Sequence, residues 1–203
     1  MVDTANRPDF LLIADMVQKG ARVLDVGCSD GALLKLLIEQ CEVDGRGIEL
    51  EQRNVNHCVA EGLSVVQGDA DTDLMIYPDD AFDFVILSQT IQATQKPRQV
   101  LEQLLRIGKH VIVSFPNFGH WQIRLYIGMR GRMPVTASLP DPWYETPNIH
   151  FCTIKDFIAL CDTLDAKVQN KIAVNAQGRQ VNLGSNVVVA NLFAKQAVFL
   201  LQR

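Results

Sequence analysis

Apolar positions along this chain follow two alternating rhythms. Short, near-continuous apolar runs at Arg22–Val26, Gly45–Leu50, Leu63–Gln67, Phe82–Leu87 and His110–Phe115 read as strands buried on both faces. Between them, apolar residues recur at helical spacing. Phe10, Leu11, Ile13, Ala14 and Val17 form one such set, followed by Gly20 as a C-cap. Ala32–Gln40 and Gln52–Glu61 form two more, and Gly62 stops the second. Val100, Leu101, Leu104, Leu105 and Ile107 share a helix face that opens near Pro97 and ends at Gly108. Strands alternating with helices predict a doubly wound α/β domain whose parallel strands are joined by crossovers. The first strand, Arg22–Val26, is expected inside the sheet at the topological switch point.

Beyond Phe115 the rhythm changes. Pro116–Gly119 reads as a loop, and His120–Met129 as a helix with Trp121, Leu125 and Met129 on one side. A long irregular segment follows with Pro134, Pro140, Pro142 and Pro147, so residues 116–150 read as a cover inserted into one domain spanning 1–203. Thr153-x-x-Asp156 is a helix-start box opening Ile154–Leu164. Val168–Val174 and Gln196–Gln202 are strand candidates that add antiparallel pairing to the sheet, while Asn186–Phe193 fits a strand or a buried loop.

Composition narrows the class. With 203 residues, 48% hydrophobic and 21% charged, the chain is long enough for a full core and is not of a disordered type. A net charge of −4 offers no general attraction to nucleic acid or to an anionic membrane. The polar Met1–Asn6 reads as frayed and not as a signal peptide, and no apolar run reaches membrane-spanning length. The five cysteines, Cys28, Cys41, Cys58, Cys152 and Cys161, are odd in number and show no C-x-x-C spacing. That argues against a disulfide framework or a metal site and for a reducing cytoplasm. Cys28 sits where a helix N-terminus lowers a thiol pKa, yet no base lies near it in sequence.

The chemistry concentrates at Val23–Gly31, a strand, a glycine turn and a helix start. Unpaired backbone N–H groups there suit a carboxylate or other anion. The pattern Asp25-x-Gly27-x-Ser29-x-Gly31 resembles the first motif of class I S-adenosylmethionine (SAM)-dependent methyltransferases, Asp-x-Gly-x-Gly-x-Gly, with Ser29 at the middle glycine. The dinucleotide pattern G-x-G-x-x-G fails at Ser29. Glu49, about 20 residues beyond Gly27, ends the second strand, where a carboxylate can accept from both ribose hydroxyls. The methyltransferase resemblance implies that Asp69 accepts from the adenine amino group and that the Ala70 N–H meets a ring nitrogen, with Asp71 as a competitor. Ser88 follows the fourth strand at the mouth of the sheet and is expected to face the methionine portion; Gln89, Thr90 and Gln92 are ligand contacts or loop-stabilising groups. The expected ligand-binding set is therefore Asp25, Gly27, Cys28, Ser29, Gly31, Glu49, Asp69, Ala70 and Ser88. His57 and His110 read as structural or surface residues. His120 and His150, which flank the cover, are better placed for a site, but no spacing identifies a catalytic base.

Longer segments carry a narrower resemblance. Phe82–Gln92, Ser114–Trp121, Arg130–Thr136 and Trp143-Tyr144-x-Thr146-Pro147-Asn148-Ile149-His150, with Val23–Gly31 and Gly68-Asp69, are similar to the MetW family of methionine biosynthesis proteins from about Arg7 onward. The resemblance implies a Rossmann-like class I methyltransferase fold: a mostly parallel seven-stranded sheet with an antiparallel C-terminal strand. It also implies SAM or S-adenosylhomocysteine as ligand and homoserine O-acyltransferase as protein partner, with no nucleic acid, membrane or metal. A SAM-binding regulator of that acyltransferase is the leading reading. The alternatives are a methyltransferase with an unknown small-molecule acceptor and a scaffold whose nucleotide site has decayed. Segment Phe118–His150 or its flanking helix is expected to dock the partner through Trp121, Tyr126, Trp143, Tyr144 and the Arg124, Arg130 and Arg132 set, the alternative being a lid packed on its own domain with Trp121 and Trp143 in the core.

Overall fold

In the computed structural model the alternating runs assemble into an eight-stranded sheet ordered β3-β2-β1-β4-β5-β8-β6-β7. The structure describes residues 7–136, 141–175, 180–181 and 186–203; Met1–Asn6 and Pro140 lie outside them. The strands are β1 (Arg22–Val26), β2 (Asp44–Glu49), β3 (Ser64–Gln67), β4 (Phe82–Ser88), β5 (Gly108–Pro116), β6 (Lys167–Val174), β7 (Gln180–Val181) and β8 (Gln196–Gln202). Strands β1 to β5 pair in parallel. β8 lies antiparallel to both β5 and β6. The expected seven strands are all present, and β7 is a two-residue antiparallel addition to β6. β1 sits between β2 and β4, so the chain winds outward through β2 and β3 and then restarts on the other side of β1. That reversal leaves a crevice at the carboxyl ends of β1 and β4.

The period-2 arrangement of the strands supplies both faces of the core. Leu24, Val26, Val85, Leu87, Val111 and Val113 face one layer, packed with residues of α4 (Pro97–Ile107) and α6 (Ile154–Thr163). Val23, Phe84, Ile86, Ile112 and Val198 face the other, packed with α1 (Pro8–Ala14) and α2 (Ala32–Cys41). α3 (Gln52–Ala60) joins β2 to β3. Phe115, Phe157 and Phe199 form an aromatic triad with centroids 4.7 to 5.8 Å apart, fastening β5, α6 and β8 together.

Three expectations need correction. α1 ends at Ala14, so Gly20 belongs to the turn before β1 and does not cap the helix. β5 begins at Gly108 and not at His110, so Gly108 ends α4 as expected and also opens the strand. Asn186–Phe193 is neither strand nor loop: Val187–Phe193 is helix α7. The Asn186 side chain accepts from the Val188 and Val189 N–H groups at 3.1 and 3.3 Å, and the helix buries Ala190 and Asn191. Capping and burial outweigh the strand preference of three valines. The Thr153/Asp156 box is formed in both directions at the start of α6. Thr153→Ala is expected to lower stability by about 1 kcal/mol, read as a melting temperature roughly 2–4 °C lower.

Candidate functional site

The glycine turn at the end of β1 needs its glycines on two counts. Gly27 and Gly31 have φ of +73° and +77°. A Cβ on Gly27 would lie 2.7 Å from Thr90 Cγ2, and one on Gly31 would collide with Leu63 and lie 2.9 Å from Cys58 Sγ. Ser29, at φ +52°, holds a left-handed conformation that costs a side-chain-bearing residue about 1–2 kcal/mol. Its N–H donates to Glu49 Oε2 at 2.8 Å, and the Glu51 N–H donates to Oε1 at 2.9 Å. The buried Glu49 carboxylate thus ties the turn to the end of β2.

Asp25 lies beneath the turn at 1% exposure, and its Oδ1 is buried without a hydrogen-bond partner. Burial raises its pKa to about 7; Arg7 pulls the other way, while Glu49 and Asp9 add to the rise. Cys28 is buried too, and burial followed by the Asp25 charge pushes its thiol well above the ordinary range. The expectation of a lowered thiol pKa at this helix start is overturned: desolvation outweighs the helix terminus. Cys152 and Cys161 are pushed up to about 12, chiefly by burial.

Ser88 belongs to a network invisible in the local motif. The Arg7 guanidinium grips Asp9 with two bonds of 3.1 Å and donates to Ser88 Oγ at 2.7 Å. Ser88 and Ser114 hydroxyls each donate to Asp9 Oδ2 at 2.9 Å. Burial opposes ionisation of the fully buried Asp9, but the Arg7 bonds and charge and the two hydroxyls hold its pKa below the ordinary value. Arg7 also stacks on Phe10 at 4.2 Å. Arg7, Phe10, Asp25, Gly27, Ser29 and Ser88 line a cleft of about 880 Å³, open solvent at its mouth included. Sequence reasoning missed Arg7 and Asp9. Their one signal was a pair of charges at the opening of an otherwise apolar helix.

The other expected residues are placed as follows. Cys28 lines the same cleft. Gly31 faces a neighbouring depression beside Lys35 and Glu61. Asp69 and Ala70 lie after β3, and Ala70 lines a separate depression with Asp71 and Leu74. Asp69 Oδ1 accepts from the Asp71 N–H at 2.8 Å. The Asp71 carboxylate accepts from the Gln95 and Lys96 N–H groups, both at 2.8 Å, so it fastens the entry to α4. In the cover, His120 caps α5 (Trp121–Arg130) by accepting from the Gln122 N–H at 3.3 Å. Trp121 and Trp143 are 40% and 69% exposed, so neither enters the core. Arg124 donates to Gly119 O at 2.6 Å, and Arg130 lies over the Tyr126 ring at 5.1 Å. Among the described residues no helix is long and apolar enough to cross a membrane, and no three His, Cys, Asp or Glu side chains cluster as a metal site.

Comparison with known proteins adds the family. A bifunctional methionine biosynthesis protein MetXA/MetW from Rhodopirellula baltica is 32% identical over 94% of this chain, which spans 32% of that relative's length. A SAM-dependent methyltransferase of Thermotoga maritima, titled a possible histamine N-methyltransferase, superposes with a TM-score of 0.67 at 15% identity, covering 97% of this chain and 90% of that one. The [4+2]-cyclase SpnF superposes at 0.69 with 17% identity, over 98% and 81%. These likenesses identify the class I methyltransferase fold, and the cyclase illustrates that the fold alone leaves the chemistry open. Residues 7–201 match the family described as methionine biosynthesis protein MetW, and the chain belongs to that family.

Proposed function

We propose that the chain binds SAM or S-adenosylhomocysteine in the cleft over Gly27 and acts as a partner and regulator of homoserine O-acyltransferase. One observation carries the ligand reading: an unpartnered, 1% exposed Asp25 carboxylate oxygen beneath a glycine turn, beside the Arg7 guanidinium. An orphaned buried acceptor attracts a donor, and an amino acid portion supplies both an ammonium for Asp25 and a carboxylate for Arg7. Glu49 would take the ribose hydroxyls while keeping its two N–H bonds, since each carboxylate oxygen has a second lone pair. Asp69 and the Ala70 N–H remain the candidates for adenine. When bound, SAM supplies an electrophilic methyl group; this chain's residues bind and orient.

Calorimetry with SAM and S-adenosylhomocysteine tests the reading. Glu49→Gln removes the charge and sets an amide N–H against one of the two backbone donors, so its melting temperature is read alongside its affinity. Affinity is expected to fall about tenfold, the value of a charge-assisted hydrogen bond. Unchanged affinity in a variant that still binds would remove Glu49 from the ribose role. Turnover to S-adenosylhomocysteine would favour a methyltransferase over a regulator.

The partner reading is supported by the relative's double name, MetXA/MetW, and by the surface of α5. Trp121, Leu125 and Met129 recur every fourth residue and are 40%, 50% and 77% exposed, an exposed apolar helix face. Arg124 and Arg130 are engaged with their own chain, so the apolar face is the better docking candidate than the arginines. The double variant Leu125→Ser and Met129→Ser is expected to reduce co-purification with homoserine O-acyltransferase at least tenfold without a change in melting temperature. Equal recovery would exclude this face, and no complex with the natural chain would remove the partner.

A further inference from the structure

A second cavity lies beyond the Gln89–Gln92 segment, enclosing about 480 Å³ with its mouth. Gln89 lines the glycine-turn cleft and Gln92 lines this second space, so the two share a wall. Its apolar side is Pro116, Phe118, Ile123, Phe151 and Cys152. Phe118 and Phe151 stack at 4.6 Å, giving that side a fixed shape. The remaining lining is polar and includes Gln92, His120, His150 and Lys195.

Gln92, His120 and Lys195 have unused capacity. Gln92 is 6% exposed; its Nε2 donates to Gln89 O at 2.6 Å, but its Oε1 is buried with no partner. His120 is buried and accepts at Nδ1 from the Gln122 N–H, which places the proton of a neutral ring on Nε2. Burial, followed by the Lys195 charge, lowers the His120 pKa and favours that neutral ring. Lys195 forms no salt bridge among the described residues, and its backbone is fixed by bonds to Val174 and Asn117. One cation and one ring N–H suit a carboxylate. The orphaned amide oxygen suits an ammonium. Stacked rings and a thiol suit a slim apolar or thioether chain.

We propose that this cavity binds a free α-amino acid with an unbranched apolar side chain: carboxylate at Lys195 and His120 Nε2–H, ammonium at Gln92 Oε1. The site is separate from the nucleoside cleft and does not depend on that reading. The probe is L-methionine, titrated calorimetrically into the full chain. Two analogues dissect the recognition: L-methioninamide lacks the carboxylate and 4-(methylsulfanyl)butanoate lacks the ammonium. Both are expected to bind at least tenfold more weakly. Lys195→Met and Gln92→Met are each expected to weaken methionine binding at least tenfold. Lys195→Met keeps both backbone bonds, so its melting temperature should match the natural chain. Saturating S-adenosylhomocysteine should leave methionine binding unchanged. Absence of methionine binding, equal affinity for the analogues, indifference to Lys195→Met, or competition by S-adenosylhomocysteine would each overturn the proposal.

Discussion

Asn117→Ala is expected to destabilise the fold by about 3–4 kcal/mol. Asn117 is 2% exposed at the end of β5. Its Nδ2 donates to Asn191 O and Ala194 O, both at 2.8 Å, and its Oδ1 accepts from the Gly119 and Ile154 N–H groups at 3.0 and 3.3 Å. One side chain therefore joins the loop before α5, the start of α6 and the end of α7. Alanine leaves four backbone groups in the interior without partners, and each unsatisfied group costs about 1–3 kcal/mol before relaxation. A melting temperature roughly 6–16 °C lower is the expected readout. A shift below 2 °C would mean that water replaces the amide and that the knot is not structural.

The second large effect has the opposite sign. Asp25→Asn is expected to stabilise the chain by about 2–4 kcal/mol at pH 8 and to weaken SAM binding. The Asp25 pKa rises on folding from 3.8 to about 7, because burial disfavours the charged form. The folded chain holds the extra proton between those values, so this group makes stability fall as pH rises from about 4 to 7 and leaves it low above that. Three units correspond to about 4 kcal/mol, part of which the buried amide of asparagine gives back. Asp9 works in the other direction, its folded pKa being lowered; its contribution is lost only as pH falls below the ordinary carboxylate value. The two windows do not overlap. Melting curves of the natural chain and Asp25→Asn at pH 5 and pH 8 check the assignment: the stabilisation should appear at pH 8 and shrink at pH 5. A carboxylate kept at such expense is the pattern of a residue retained for a ligand.

The sheet was legible because its strands are apolar on both faces and its helices on one, so two periods alternate without overlap. The boundaries of β1, β4 and α2 fall within a residue or two of the apolar pattern. α7 was not legible, since three valines favour strand and the cap that overrides them is one asparagine acting with tertiary burial. The glycine turn and Glu49 could be placed from spacing, because chain direction and the switch point fix where β1 and β2 end. The Arg7–Asp9–Ser88–Ser114 network could not. Its members come from three distant parts of the chain, and nothing local marks Asp9 as a buried anion rather than a solvated helix-start acid. The second cavity escaped for the same reason: Gln92, His120 and Lys195 meet only once β8 is in place.

The position of β8 also bears on the order of assembly during synthesis. β6 forms its sheet bonds to β8 and β7 and none to β5, so it is not hydrogen-bonded into the parallel part of the sheet until Gln196–Gln202 emerges. Until then the free rim of β5, carrying Val111, Ile112, Val113 and Phe115, is an open main-chain template. Such a rim invites pairing with another nascent chain. A ribosome that stalls within the last ten codons before Gln196 therefore releases a product with an almost complete core and a sticky rim. Chaperone capture and aggregation should be most sensitive to stalling at that stage.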